Sequence, residues 1–283
     1  MSNMMRVAGI IGWPARQSLS PRLHGFWLQS HDIDGAYVSL PVETTTLSFA
    51  LRGLQAAGLA GVNVTVPHKQ AAFALAHICD DAARAAGAAN LLVFRDQLIE
   101  ARNTDIAGLQ ASLVAECGPD GVKGRHVIVL GAGGAARAAV LVCDALKAAT
   151  IHVLNRTERR AATLVDELTS LVSGKLGAGG LDAWDRFAPA ATFVIQATSA
   201  GMTDGAALDL NLQLLPREAV VCDLVYRPLE TPLLARARAL GLRGIDGLGM
   251  LMHQAVPSFE AFYGVRPDVT AALRIDLEQA LDQ

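Results

Sequence analysis

The sequence predicts an α/β protein of two domains, the second built on a doubly wound parallel sheet, with helices closing the chain. Three observations carry this. The chain has 283 residues, 52% hydrophobic and only 18% charged, enough for two sizeable cores. From Lys123 to Gly247, short apolar runs alternate with helical periodicities, the pattern of parallel strands joined by crossover helices. The stretch HVIVLGAGGAARA, 126–138, joins an apolar strand to a glycine turn and a helix. The expected division is 1–108, 109–247 and 248–283, the last segment being helices that pack back on the first domain.

Bulk properties exclude several classes. Net charge is −3 and there is no basic stripe, so a nucleic-acid partner is not expected. Cys79, Cys117, Cys143 and Cys222 show no metal or redox spacing and read as buried thiols of a reducing compartment. The apolar patch 7–13 is cut off by Pro14 and Arg16 and reads as a strand rather than a signal peptide. The longest apolar stretch, 127–146, is broken by glycines, Arg137 and Asp144, so no membrane span is expected.

In the first domain, strands are expected over 7–11 and 36–40 and a helix over 44–58. Ser20-Pro21 is a helix start, with Ser20 as N-cap and Pro21 at the first helical position. Ser18 has no such structural reason; function and plain loop both stand. His24 reads as a packing or capping residue. Val62, Val64 and Val66 alternate with Asn63 and Thr65, giving a strand with a polar face toward a cleft. Pro67 ends it and Lys69 opens a helix expected to run over 70–86, with Asp80 and Asp81 in its C-terminal half. A lysine at a helix start opposes the dipole preference for acids, so local sequence leaves Lys69 either solvated or functional. A turn at 87–90 leads into a hairpin of strands 91–94 and 98–101, and Thr104 or Asp105 is placed to cap a helix over 106–117. The segment 118–124, rich in Gly, Pro and Asp, reads as a linker.

In the second domain, 127–130 is a continuous apolar run suited to a strand buried on both faces. Gly131 makes the tight turn, Gly133 lets backbone approach a phosphate, and Ala136 takes the small-residue position between helix and strand. The helix that follows aims its free N–H groups at whatever lies over the glycines, which favours a pyrophosphate. The strand 150–154 ends in Asn155-Arg156-Thr157, with no acid to hold a ribose 2′-hydroxyl. Arg156 instead offers a guanidinium for a 2′-phosphate, so NADP(H) is expected over NAD(H). A helix over 158–171 is followed by SGKLGAGG, 173–180, which reads as a mobile surface connection. Strands over 192–196 and 219–224 and a helix over 233–240 complete the domain, and helices follow Gly247.

Several stretches taken together resemble the shikimate dehydrogenase family. They are Gly12-Trp13-Pro14 with Ser18-Leu19-Ser20-Pro21, Asn63 to Lys69, Gly87 to Asn90, Asn103-Thr104-Asp105, Gly131 to Ala135, Asn155-Arg156-Thr157, Ala197-Thr198-Ser199, Asp223 to Tyr226 with Thr231 to Leu234, and Gly247 to Leu251 with Gln254. They run in family order over nearly the whole chain. The resemblance implies reversible NADPH-dependent reduction of 3-dehydroshikimate to shikimate, a step toward chorismate and the aromatic amino acids, in a cytoplasmic monomer or homodimer.

It also implies residue roles. Lys69 and Asp105 form the catalytic pair, with Lys69 moving the proton. Ser18 and Ser20 hold the substrate carboxylate, and Thr65, Asn90, Asp105, Tyr226 and Gln254 contact the ring hydroxyls and carboxylate surroundings. Gly131, Ala132, Gly133, Gly134 and Ala135 hold the pyrophosphate, and Asn155, Arg156, Thr157 and Arg160 the adenosine 2′-phosphate. Leu224 and Gly247 lie along the nicotinamide, and Asp81 aligns with a position near the cofactor. No metal is implied. The chain departs from the family pattern at Gln17, Gly25, Leu91, Ala101-Arg102 and Gln196, and Arg102 stands close enough to the site to bear on substrate range. Quinate or an amino analogue of shikimate is the alternative substrate, and a nucleotide-binding regulatory module without turnover the alternative class. The elementary chemistry agrees with an enzyme: reducing a ketone needs a hydride and a proton for the developing alkoxide, and an ammonium supplies both charge stabilisation and proton.

Overall fold

The computed structural model describes residues 5–15, 18–202 and 206–281. The chain divides into two units, Met1–Gly108 with Leu251–Gln283, and Leu109–Met250. The division falls inside a helix, α5 (Asp105–Cys117).

The first unit holds β1 (Arg6–Gly12), α1 (Ser20–Ser30), β2 (Gly35–Pro41), α2 (Leu47–Ala56), β3 (Gly61–Val64), α3 (Lys69–Leu75), β4 (Ile78–Cys79), α4 (Asp81–Ala86), β5 (Leu91–Arg95) and β6 (Leu98–Arg102). Its sheet runs β2-β1-β3-β5-β6-β4. β1, β2 and β3 are parallel, and β5 pairs antiparallel with both β3 and β6. One face is covered by Leu47, Leu51, Ala72 and their neighbours, packed on Ile11, Val62, Val64, Leu92 and Ala101. The C-terminal helices α10 (Leu248–Tyr263), from Leu251 onward, and α11 (Ala271–Leu281) belong to this unit. They are tied in by Asn63 Nδ2 donating to Ser258 Oγ at 2.8 Å, Trp27 Nε1 to Asp268 O at 3.1 Å, and Arg22 pairing with Asp276 at 2.7 Å. Phe259 and Phe262 of α10 are fully buried, each contributing roughly 1.5–3 kcal/mol of apolar burial.

The expected helix over 70–86 is two helices with a strand between them. Asp80 does not sit in a helical C-terminal half: its carboxylate caps α4, accepting from Ala83 N at 2.6 Å, and Asp81 lies in the first turn, where acids are favoured. The segment before it pairs with β6 as β4. The expected polar strand face is also corrected. β3 stops at Val64; Val66 is 70% exposed; and Asn63, 8% exposed, is turned into a buried network instead of an open cleft. Residues 44–58 begin with a 3-10 turn, Thr44–Thr46, before α2.

The second unit holds the remainder of α5, then β7 (His126–Leu130), α6 (Gly134–Ala145), β8 (Thr150–Leu154), α7 (Glu158–Leu168), β9 (Lys175–Gly179), α8 (Trp184–Phe187), β10 (Phe193–Gln196), β11 (Val220–Asp223), α9 (Pro232–Ala239) and β12 (Arg243–Ile245). Its strands form one parallel sheet in the order β12-β11-β10-β7-β8-β9. Strand order reverses at β7, the topology of a doubly wound fold. β7 and β10 are buried almost throughout, and Ile128, Leu130, Val194 and Val221 pack against Leu233, Leu234 and Trp184. The glycine-rich 173–180 segment is not a mobile connection, because 175–179 is the edge strand β9, in register with β8 from Thr150↔Lys175 to Leu154↔Gly179. β12 is a second edge strand that the sequence reading lacks.

Candidate active site

In the first unit, polar side chains from three helices and the turn before β5 meet near the ends of β3 and β5. Lys69 opens α3 and Asp105 opens α5; Lys69 Nζ donates to Asp105 Oδ2 at 2.5 Å. The lysine runs against its helix dipole and the aspartate runs with its own, so the pair offsets the mismatch at α3. Asp105 is 5% exposed, while the Lys69 side chain retains 28% exposure. An ammonium has three donor hydrogens; the bond to Asp105 leaves the others for a ligand.

Asn90 fixes the carboxylate from the other side. Its Oδ1 accepts from Thr104 N at 2.7 Å, which sets the amide orientation. Its Nδ2 then faces Asp105 Oδ1 at 2.9 Å, Thr104 Oγ1 at 2.9 Å and Gln254 Oε1 at 2.8 Å. Lys69, Asn90, Asp105 and Gln254 are thus one hydrogen-bonded cluster. The backbone at the start of α5 is held by Asn103, whose Oδ1 accepts from Asp105 N at 3.0 Å and whose Nδ2 donates to Ala88 O. Asn103 thus satisfies the first N–H of α5, while the Asp105 carboxylate meets Lys69 and Asn90.

Ser18 and Ser20 exchange the expected roles. α1 begins at Ser20, and Ser18 Oγ accepts from Ser20 N at 3.2 Å, so the structural bond belongs to Ser18. Ser18 Oγ also donates to Ser20 Oγ at 3.1 Å, which places the two hydroxyls together. Gln17 lies outside the described residues. Thr65 is half-buried just past β3, its N–H bonded to Ile11 O at 2.9 Å. Arg102 donates to Glu100 Oε1 at 2.8 Å, so its guanidinium is committed to that carboxylate. The Asp81 side chain is fully exposed and pairs with Arg84 at 3.1 Å, outside the Lys69 cluster.

A second buried network, which sequence reasoning missed, adjoins the cluster. Tyr37 Oη donates to Asn63 Oδ1 at 2.8 Å, and Asn63 Nδ2 donates to Asn90 O at 3.0 Å as well as to Ser258. The signal available was Asn63 within a run of valines. Burial pushes the Tyr37 hydroxyl well above its ordinary pKa, with Tyr263 adding to the shift and a hydrogen bond from Ser20 opposing it. His24 is a packing residue: its ring stacks on Tyr37 at 3.9 Å, and burial holds its imidazole down to about 3.

In the second unit, Gly131, Ala132 and Gly133 form the turn from β7 into α6, which starts at Gly134 and continues through Ala135. Gly131 has φ +114°, and a Cβ there would stand 2.9 Å from Thr198 Cγ2, so both conformation and packing require glycine. A Cβ at Gly133 or Gly134 would meet nothing within 4 Å. The glycines therefore leave open space over the N-terminus of a 12-residue helix, a cradle that fits a pyrophosphate. At the end of β8, Asn155 Nδ2 donates to Thr157 O at 2.9 Å. Arg156, Thr157 and Arg160 are exposed at the start of α7, and among the described residues no carboxylate pairs with either arginine. Past β11, Leu224 and Tyr226 are half-buried. A Cβ on Gly247 would lie 2.3 Å from Leu224 O, so Gly247 is needed for backbone contact between those two loops. Among the described residues no group of His, Cys, Asp or Glu is placed to hold a metal ion, and no helix is long and apolar enough to cross a membrane.

The fold and these features define a dinucleotide-binding α/β protein whose other unit carries a lysine–aspartate site. A sequence profile described as the shikimate dehydrogenase substrate binding domain matches residues 10–92, and one described as shikimate / quinate 5-dehydrogenase matches residues 113–203. Shikimate dehydrogenase (NADP(+)) of Rhodospirillum rubrum is 48% identical over 274 residues, covering 95% of each chain. The crystal structure of shikimate 5-dehydrogenase from Thermus thermophilus in complex with NADP(H) and shikimate matches at TM-score 0.84 and 32% identity, over 98% of this chain and 99% of that one. Quinate dehydrogenase from Corynebacterium glutamicum in complex with NAD matches at TM-score 0.88 and 28% identity, over 97% and 99%. The chain belongs to the shikimate dehydrogenase family.

Proposed function

We propose that this chain is an NADP-dependent shikimate dehydrogenase that catalyses the reversible reduction of 3-dehydroshikimate to shikimate. The observation that carries the reading is the 2.5 Å bond from Lys69 Nζ to Asp105 Oδ2 inside the Asn90–Gln254 cluster. NADPH, when bound, supplies the hydride. Lys69 supplies the proton to the oxygen that becomes the alkoxide, and in the reverse direction accepts it. Asp105, buried and bonded on both oxygens, holds the amine in place. Ser18 and Ser20, with hydroxyls 3.1 Å apart, hold the substrate carboxylate. Thr65, Asn90, Tyr226 and Gln254 bond ring hydroxyls, and a site built on such donors and acceptors rejects analogues that lack them. Gly131, Ala132, Gly133, Gly134 and Ala135 take the pyrophosphate, Asn155, Arg156, Thr157 and Arg160 the 2′-phosphate, and Leu224 and Gly247 the nicotinamide side. Four free thiols support a cytoplasmic location, and we expect a monomer or homodimer.

The paired serines favour shikimate over quinate, and the arginines at the end of β8 favour NADP(H) over NAD(H). The test is spectrophotometric: kcat/KM for shikimate and quinate, each with NADP and NAD. The reading expects shikimate with NADP to give the highest value. A higher value for quinate, or for NAD, would overturn that part of it, and no turnover with either ring acid would point to a regulatory nucleotide-binding module.

A further inference from the structure

The ends of β10 and β11 carry a buried polar pair that the site described above does not use. Gln196, the last residue of β10, is 1% exposed, and Asp223, the last of β11, is unexposed; the two are register partners. Gln196 Oε1 accepts from Thr198 N at 2.5 Å, and its Nε2 donates to Ala200 O at 2.9 Å and Thr198 O at 3.3 Å. The same Nε2 lies 3.3 Å from Asp223 Oδ1. Asp223 Oδ1 also accepts from Val225 N at 3.0 Å, and Oδ2 accepts from Thr231 Oγ1 at 2.7 Å. Thr231 Oγ1 in turn accepts from Leu234 N at 3.2 Å and caps α9. One amide and one carboxylate therefore set the backbone of 197–200, the turn at 224–225 and the start of a helix. Burial pushes the Asp223 carboxyl up to about 6, opposed by the donors from Thr231, Val225 and Gln196, so each donor is needed to hold the charge there.

Their position gives this pair a consequence. In a doubly wound sheet the ligand lies outside the carboxyl ends of the strands where the order reverses, here between β7 and β10. The 197–201 loop touches the glycine turn through Thr198 and Gly131. Arg156 and Arg160 stand on the β8 side of that turn, so the other nucleotide half extends over the ends of β10 and β11. We propose that Gln196 is the positioning residue for the nicotinamide half of the cofactor, holding the 197–201 and 224–225 loops as one wall through the bonds it makes to Thr198, Ala200 and Asp223. The proposal rests on the NADP reading given above. Methionine would fill the same volume without these bonds; asparagine would keep the amide but shorten its reach by one methylene.

The test compares Gln196→Met and Gln196→Asn with the parent protein in binding of NADPH, in binding of an adenosine bisphosphate carrying the 2′-phosphate, and in turnover. The bisphosphate fills only the arginine side. Both variants are expected to bind NADPH about tenfold more weakly and to lose about tenfold or more in kcat, with bisphosphate affinity within about twofold of the parent, because a misplaced ring is costly in rate. Equal weakening of both nucleotides would mean general damage to the unit and overturn the proposal, as would unchanged NADPH affinity and kcat. If the parent protein binds neither nucleotide, the cofactor reading fails and takes this proposal with it; if it binds both and the variants match it, only the proposal falls.

Discussion

Lowering the pH tests the burial of His24 directly. The imidazole is 1% exposed, stacked on Tyr37, and its Nδ1 has no hydrogen-bond partner among the described residues. Burial lowers its pKa from 6.5 to about 3. Between those values the unfolded chain binds a proton that the folded chain refuses, so stability falls as pH falls. The contribution is complete above the unfolded value of 6.5 and is lost as pH drops toward the folded value of about 3. At about pH 4.5 the loss is about two pH units at about 1.4 kcal/mol each, or roughly 3 kcal/mol, from this one residue. Urea unfolding at about pH 7.5 and about pH 4.5 measures it, with His24→Phe as control. Phenylalanine keeps a ring against Tyr37 and removes the titration; its own packing cost enters at both pH values and cancels in the difference. The parent should lose roughly 3 kcal/mol more than the variant over that interval. Equal losses in the two proteins would show that His24 does not titrate with unfolding, because the carboxylates that also titrate there are common to both.

Two further outcomes follow from the nucleotide unit. Arg156→Ala should raise KM for NADPH by about tenfold to a hundredfold, the worth of a charge-assisted bond to a phosphate, and leave KM for NADH nearly unchanged; parallel kinetics with the two cofactors check it. Gly131→Ala places a Cβ 2.9 Å from Thr198 Cγ2 on a backbone at φ +114°. It should cost about 1–3 kcal/mol in urea unfolding and weaken NADPH binding, which fluorescence titration reads.

The parts of the fold most legible in the sequence are those with strong local signals. β7 with α6 was readable because four apolar residues run straight into glycines, and the hairpin of β5 and β6 because Asp96-Gln97 interrupts two apolar runs. Edge strands were not. β9 is Lys-Leu-Gly-Ala-Gly, and its glycines look like a loop until β8 offers a ladder; β12 and β4 are three and two residues long. The break at residues 76–80 was marked only by two successive acids, readable as a helix start as easily as a helix end. At the site, residue types were legible and their bonds were not. Ser18 and Ser20 stood out as a pair, yet which hydroxyl served the helix depended on where α1 began. The bond from Asp105 N to Asn103 was hidden because Asn103, Thr104 and Asp105 all have side chains that can accept from a helix start. Gln196 was visible only as a departure from the family pattern, and its partner Asp223 lies on another strand.

In the proposed reduction, NADPH gives the hydride and Lys69, held by Asp105, delivers the proton. The most direct measurement follows NADPH absorbance on adding 3-dehydroshikimate to the parent protein, Lys69→Ala and Asp105→Asn, with NADPH binding measured on each. The parent should oxidise NADPH steadily, kcat should fall by about a hundredfold to ten-thousandfold for Lys69→Ala and by a large factor for Asp105→Asn, and NADPH affinity should be unchanged in both. Rates near those of the parent in the two variants, or no oxidation by the parent itself, would contradict it.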